Sequence, residues 1–281
     1  MKIMKRIAII ITVFNRKDKT LQCLKNIEDQ TIQSNKDCKV DIFLTNDGCT
    51  DGTPEAIRVQ FPYVNIVEGD GTLFWNRGMY TAWQEASKGD YDFYLWLNDD
   101  TYLKNDAIER LIDCSEEKEN KSVVIGSCCS SLSENEITYG GHTKSGKLIK
   151  DVTNEQECVI FHGNIVLIPK YVFDKIGFND PHYRHAMGDF DYSFMVNRAG
   201  IKSIVAKGVF GICDLHAQMP KWSNPEVNLV ERWKAFHKPG GNGSNPFEFF
   251  YYRKKNYGII PACVTFISNY IHVLFPKLWE K

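Results

Sequence analysis

The stretch Tyr94-Leu95-Trp96-Leu97-Asn98-Asp99-Asp100-Thr101 ends an apolar run abruptly in oxygen-bearing side chains. Ligands of open α/β sheets collect at the carboxyl ends of strands. Carboxylates at such an end suit a hard divalent cation, Mg²⁺ or Mn²⁺, which prefers oxygen donors and keeps positions open for a substrate's phosphates. The competing reading is structural: Asn98, Asp99 and Asp100 form a solvated turn, or cap a helix that begins near Asn105. The elements around the stretch decide between the two.

Residues 7–13 are a continuous β-branched apolar run, as expected of a parallel strand covered on both faces. A helical pattern follows Phe14-Asn15-Arg16, with Leu21, Leu24 and Ile27 on one face. A second short strand at 40–44 runs into Thr45-Asn46-Asp47-Gly48-Cys49-Thr50-Asp51-Gly52-Thr53, and Pro54 stands at a first helical position. A third strand at 63–67, a helix at 76–88 and the strand at 91–97 complete a βαβαβαβ order, which predicts a parallel, right-handed wound sheet. The loops at 46–53 and 98–101 then open on the same sheet edge.

A helix at 105–114 and the mixed-charge run at 116–121 mark the join to a less regular half. There the pattern predicts a strand at 122–127, hairpin or loop at 137–149, and a strand at 158–168 interrupted by His162-Gly163-Asn164. Such a glycine marks a bulge or a close approach by another group. Helices follow at 171–176 and from Gly188 to Arg198, the latter terminated by Gly200.

The chain has 281 residues, 43% hydrophobic and 25% charged, which suits a folded domain with a sizeable core. A formal net charge of -1 provides no field to collect nucleic acid, so an anionic ligand must be held by local groups. The nine cysteines lack CxxC or zinc spacing and read as reduced thiols of a cytosolic protein. The basic residues before the apolar run at 7–13 imitate a signal peptide, but the run is short, lacks a cleavage site and reads better as a buried strand.

Five motifs occur in order: Thr12-Val13-Phe14-Asn15-Arg16, Asn46-Asp47-Gly48-Cys49-Thr50-Asp51-Gly52-Thr53, Asn76-Arg77-Gly78-Met79, Leu97-Asn98-Asp99-Asp100 and Gly188-Asp189-Phe190-Asp191. In order and spacing they resemble those of family 2 glycosyltransferases, over residues 6–215, and are similar in particular to rhamnosyltransferase-like bacterial members that assemble surface polysaccharides. The resemblance implies an inverting enzyme with a GT-A fold: a wound, mostly parallel sheet flanked by helices, with an irregular acceptor-binding half and a C-terminal helical tail. It also implies a nucleotide-sugar donor, a glycan or lipid-linked glycan acceptor, and Mg²⁺ or Mn²⁺. Residues 1–118 are then the donor-binding half, 119–221 the acceptor-binding and catalytic half, and 222–281 a lid, connector and tail.

Asp47, at a strand's carboxyl end, suits acceptance of a ring N–H from uracil, thymine or guanine, and the family places a base-reading Asp here; otherwise it forms an Asx-turn. Asp51 stands where it could cap the helix at Pro54. Thr12, Val13 and Asn15 are expected to line the nucleoside pocket. Asn76 belongs to the same donor set, while Arg77 meets a phosphate or forms a surface ion pair. The resemblance aligns Asn98 and Asp100 with the Asp-x-Asp motif. Asn98 departs from it and removes a charge, leaving Asp100 as the metal ligand with Asp99 beside it at the donor. His216 is a further candidate ligand. The family draws its catalytic base from an acidic pair that matches Gly188-Asp189, so Asp189 is the expected base, with Gly188 standing where Glu is common. Asp191, His185 and Trp75 are expected at the acceptor. The two lost carboxylates also motivate an alternative, a nucleotide-binding or partner module of the same fold without transfer.

Residues 222–246 are rich in Pro, Gly, Asn and aromatics and read as a lid or connector. Residues 249–281 join an aromatic-basic segment to an apolar stretch interrupted by Pro261, Asn269 and His272. That pattern suits an interfacial helix at the inner face of the cell membrane better than a span; a helix packed on the protein's own core is the other reading.

Overall fold

The computed structural model describes residues 4–30, 38–215, 219–240 and 245–279. The first half is built as expected, from β1 (Lys5–Val13), α1 (Lys17–Glu28), β2 (Cys38–Asn46), α2 (Thr53–Gln60), β3 (Asn65–Glu68), α3 (Phe74–Ala86) and β4 (Phe93–Leu97). β1 pairs in parallel with β2 and β4, and β2 with β3. Alternation along β1 feeds two cores. Ile7, Ile9 and Ile11 pack with residues of α1 and α2 and with Ile108 and Leu111, whereas Ala8 and Ile10 join Trp83 of α3 with Tyr94 and Trp96. A strand buried on both faces needs such an uninterrupted apolar run.

The second half continues the same sheet. Its elements are β5 (Tyr102–Leu103), α4 (Ala107–Glu117), β6 (Val123–Ser130), β7 (Ser133–Tyr139), β8 (Gly141–His142), β9 (Gln156–Cys158), β10 (Ile160–Phe161), β11 (Ile165–Pro169), α5 (Lys170–Ile176), α6 (Gly188–Arg198) and β12 (Ser203–Ile212). The strand order is β3-β2-β1-β4-β11-β6-β12-β5, with β11 antiparallel to β4 and β6, and β12 parallel to β6. The predicted strand at 158–168 is three pieces. β9 stays on β12, β10 leaves to pair with β8, and β11 returns to β4. His162-Gly163-Asn164 is the turn between those last two.

The connector contains a helix, α7 (Leu229–His237), capped by Asn228, whose side chain accepts from Glu231 N–H. α8 (Pro246–Tyr257) and α9 (Ile259–Leu274) follow. α9 packs on α7 and α8, burying Ala262 and Val273. Ile260, Val264, Ile267, Ile271 and Leu274, spaced as one helical stripe, stay exposed. Among the described residues no helix is long and apolar enough to cross a membrane.

Candidate active site

The carboxyl ends of β1, β2 and β4 lie side by side, with Val13 in register with Asn46. Asp47 leaves that edge buried, and its N–H donates to Val13 O at 3.0 Å. Its carboxylate accepts from the N–H groups of Gly71, Leu73 and Phe74 at 2.9, 3.2 and 2.8 Å, so it fixes the loop into α3. Asp51 caps two helix starts, accepting from Lys17 N–H and Thr53 N–H. Thr12, Val13, Phe14, Arg16, Asp47, Gly71, Phe74, Trp75, Asp99, His185 and Lys238 line a cavity of about 380 Å³. Lys238 comes from the connector, which therefore does reach this cavity.

At the end of β4, Asn98 N–H donates to Asn164 O, which ties the β4 exit to the turn before β11. Asn98 Oδ1 accepts from Trp75 Nε1 at 2.7 Å. Asp99 and Asp100 are buried, and one nitrogen of Arg16 spans them, Nη1 lying 3.2 Å from Asp99 Oδ1 and 2.9 Å from Asp100 Oδ2. Burial pushes the Asp99 carboxyl up to about 6 despite Arg16, with Asp100 adding to the rise. The Cys213 thiol, 3.9 Å from Asp100 Oδ1, is pushed up to about 12 by burial and then by Asp100, so it is protonated and a weak donor.

Asp99 and Asp100 line a second cavity of about 550 Å³ together with Asp189, Arg16, Trp75, Asn98, Tyr139, His162, Gly163, Asn164, His185, Ala186, Met187, Phe190 and Cys213. The two cavities share Arg16, Trp75, Asp99 and His185 as walls. Asp189 stands in the first turn of α6, where its oxygens accept from Gly163 N–H at 3.0 Å and Phe190 N–H at 2.9 Å. Burial outweighs those donors and raises the carboxyl to about 6. Gly163 must be glycine, because a Cβ there would stand 2.4 Å from the Trp75 ring.

Arg16, His162 and Tyr139 are wall residues to which the sequence pattern assigns no role of their own. The His162 ring, beside His142 and Tyr139, accepts from Gly140 N–H at Nδ1 and is held neutral, its pKa lowered to about 4 by burial and by His142. The interruption at His162-Gly163-Asn164 was the available signal.

Several residues expected at the site have other partners in this structure. Asn15, at φ 50, accepts from Thr50 N–H and staples two loops. Asn76 is fully buried, donating to the carbonyls of Asp180 and Tyr183 and accepting from Asn179. Arg77 donates to the carbonyls of Pro181 and His182. Asp191 is fully buried and accepts from Tyr183 Oη, Lys255 Nζ and Asn256 Nδ2, anchoring α8. None of these four lines either cavity. His216 lies outside the described residues.

The donor set fits a hard divalent cation. Among the described residues no group of three or more His, Cys, Asp or Glu converges on one point. Among those residues Asp99 and Asp100 offer paired carboxylates, and Mg²⁺ and Mn²⁺ accept water and a ligand's phosphates in their remaining positions.

Residues 8–177 match the family model described as Glycosyl transferase family 2. No curated protein sequence matches the chain. Among solved structures, S. aureus TarS superposes with a TM-score of 0.56 at 9% identity over 83% of this chain, which spans only 40% of the TarS chain. A mannosyltransferase from Pyrobaculum calidifontis, PcManGT in complex with GDP-Man and Mn²⁺, superposes with a TM-score of 0.55 at 15% identity, over 97% of this chain and 82% of that one. At these identities the likeness is one of fold, and the wound, mostly parallel sheet flanked by helices is the expected GT-A type.

Proposed function

The chain belongs to glycosyl transferase family 2, and on that premise we propose that it moves a sugar from a nucleotide-diphosphate-sugar to a hydroxyl of a glycan or lipid-linked glycan, with inversion, as a rhamnosyltransferase-like member of bacterial surface polysaccharide synthesis. One observation carries this reading. Asp99, Asp100 and Asp189 line a single cavity, and that cavity shares four walls with the one lined by Thr12, Val13 and Asp47.

The smaller cavity takes the nucleoside and the larger one the sugar and acceptor, with the diphosphate at the shared wall beside Arg16. Asp189 takes the proton of the acceptor hydroxyl as its oxygen bonds to the anomeric carbon. On the opposite face the bond to the diphosphate oxygen breaks and the electron pair leaves with the nucleoside diphosphate, so the configuration inverts. A carboxyl with a pKa of about 6 is ionised at pH 7 yet basic enough to accept that proton. Asp100, with Asp99 beside it, would hold Mg²⁺ or Mn²⁺, which offsets charge on the departing diphosphate. The GDP-Man and Mn²⁺ bound by PcManGT support this class of donor and cation.

Residues 1–118 serve the donor, 119–221 the acceptor and the chemistry, and 222–281 the lid and tail. The exposed stripe on α9 supports contact with the inner face of the cell membrane, where a lipid-linked acceptor is presented.

The test is turnover of UDP-, GDP- and dTDP-sugars by purified protein with lipid-linked glycan acceptors. Asp189→Asn is expected to lower turnover by about 100-fold or more, as for loss of a general base, while nucleotide binding persists. Undiminished turnover in that variant would overturn the base assignment, and undiminished turnover in EDTA would overturn the metal role of Asp100.

A further inference from the structure

We propose that Arg16 is a resident counter-cation that occupies the Asp99–Asp100 pair until donor arrives, then passes its guanidinium to the donor's diphosphate as the divalent cation takes its place. The inference rests on the reading of Asp100 as cation ligand given above.

The geometry is that of a charge neutralised from within. A single nitrogen, Nη1, reaches an oxygen of each carboxylate, at 3.2 and 2.9 Å. Adjacent buried carboxylates repel one another and are costly without a counter-charge. Arg16 holds one oxygen of each carboxylate, so a dication that takes those two oxygens displaces it. Displacement leaves the guanidinium without an anion unless one is supplied.

A diphosphate supplies it. The Arg16 side chain is 40% exposed and lies on the wall shared by both cavities, so its long stem can turn toward a bound ligand without moving β1. Its planar fork of donors matches phosphate oxygens. Cation and nucleoside diphosphate should therefore each raise the other's affinity, because coupling between sites is reciprocal. Lys19, 3.9 Å from Asp100 Oδ2, is a second cation able to stand in partly.

The experiment is Mn²⁺ binding to the full chain by electron paramagnetic resonance, alone and with UDP, GDP or dTDP as probes. Wild type, Arg16→Ala, Arg16→Gln and Arg16→Ala/Lys19→Ala are compared, with folding checked by thermal melting; Arg16→Gln keeps the chain length if Arg16→Ala fails to fold. Wild type should take Mn²⁺ weakly alone and at least about tenfold more tightly with one of the probes, the scale of one charge-assisted hydrogen bond. The uncharged variants should bind Mn²⁺ alone about tenfold more tightly than wild type and lose most of the coupling. Unchanged or weaker Mn²⁺ binding in the variants, with the coupling intact, overturns the proposal and leaves the glycosyltransferase reading standing. Wild type that binds no Mn²⁺ with any probe overturns the metal reading itself, and this proposal with it.

Discussion

Trp75 Nε1 donates to Asn98 Oδ1 at 2.7 Å, so the residue that departs from the Asp-x-Asp pattern is held by an indole that walls both cavities. An aspartate could accept the same bond. Asn98→Asp is therefore expected to fold and to add charge beside Asp99 and Asp100, which strengthens Mn²⁺ binding and, without metal, raises the Asp99 carboxyl further. Trp75→Phe removes the donor and should cost about 1 kcal/mol of stability, with weaker nucleotide binding. Calorimetric titration with Mn²⁺ and chemical denaturation check both; weaker Mn²⁺ binding by Asn98→Asp would contradict this account.

Gly188 lacks a side chain for a reason found in α3. A Cβ there would stand 1.8 Å from Asn76 Oδ1, and Asn76 is fixed by donation to the carbonyls of Asp180 and Tyr183 and by acceptance from Asn179. The common family Glu has no room. Gly188→Ala should destabilise by about 1–3 kcal/mol, the range for overpacking, and Gly188→Glu by more, with turnover falling as α6 shifts Asp189. A Gly188→Glu protein of wild-type stability would show that Asn76 yields.

The motif residues divide by whether local pattern alone places them. The apolar run of β1 and the strand end at Leu97-Asn98 are set by alternation and burial, which are local, and their shared sheet edge follows from the βαβ order. The position of Asp189, in the first turn of a helix closed by Gly200, follows from local pattern too, whereas its role as base is implied only by the resemblance. Asn76 and Arg77 matched a donor motif, yet α3 turns them toward the loop at 179–184; each helical residue rotates 100° from the last, so motif identity does not say which face meets the pocket. What the motif does place is Gly78, whose missing Cβ lets α3 approach Thr12, where the Cβ would stand 2.1 Å from Oγ1. Arg16 escaped notice because its partners lie 83 and 84 residues away and become neighbours only through β1–β4 pairing.

The α9 stripe separates two readings of the tail. Ile260, Val264 and Ile267 are 74%, 62% and 59% exposed, so changing them to Glu removes apolar surface without touching the buried face at Ala262 and Val273. Such a triple variant should keep its melting temperature and lose co-sedimentation with anionic vesicles. Equal sedimentation of variant and wild type would place any membrane contact elsewhere.

The acid limb of the pH–rate profile should report Asp189. Its folded-state pKa of about 6 lies above the ordinary carboxylate value of about 3.9, so the native state holds the proton more tightly than the unfolded chain does. The stability this contributes is present at low pH and is lost as pH rises through about 6. Turnover should therefore climb across the same interval in which the wild type loses stability relative to Asp189→Asn, making the inactive variant the more stable protein at pH 8 and not at pH 4. Asp99 also titrates near 6, but a bound cation lowers the pKa of its neighbours. At saturating Mn²⁺ the limb that remains near pH 6 belongs to Asp189, and a limb that moves down with Mn²⁺ belongs to Asp99. Denaturation at pH 4 and 8, with rates measured at two Mn²⁺ concentrations, separates them.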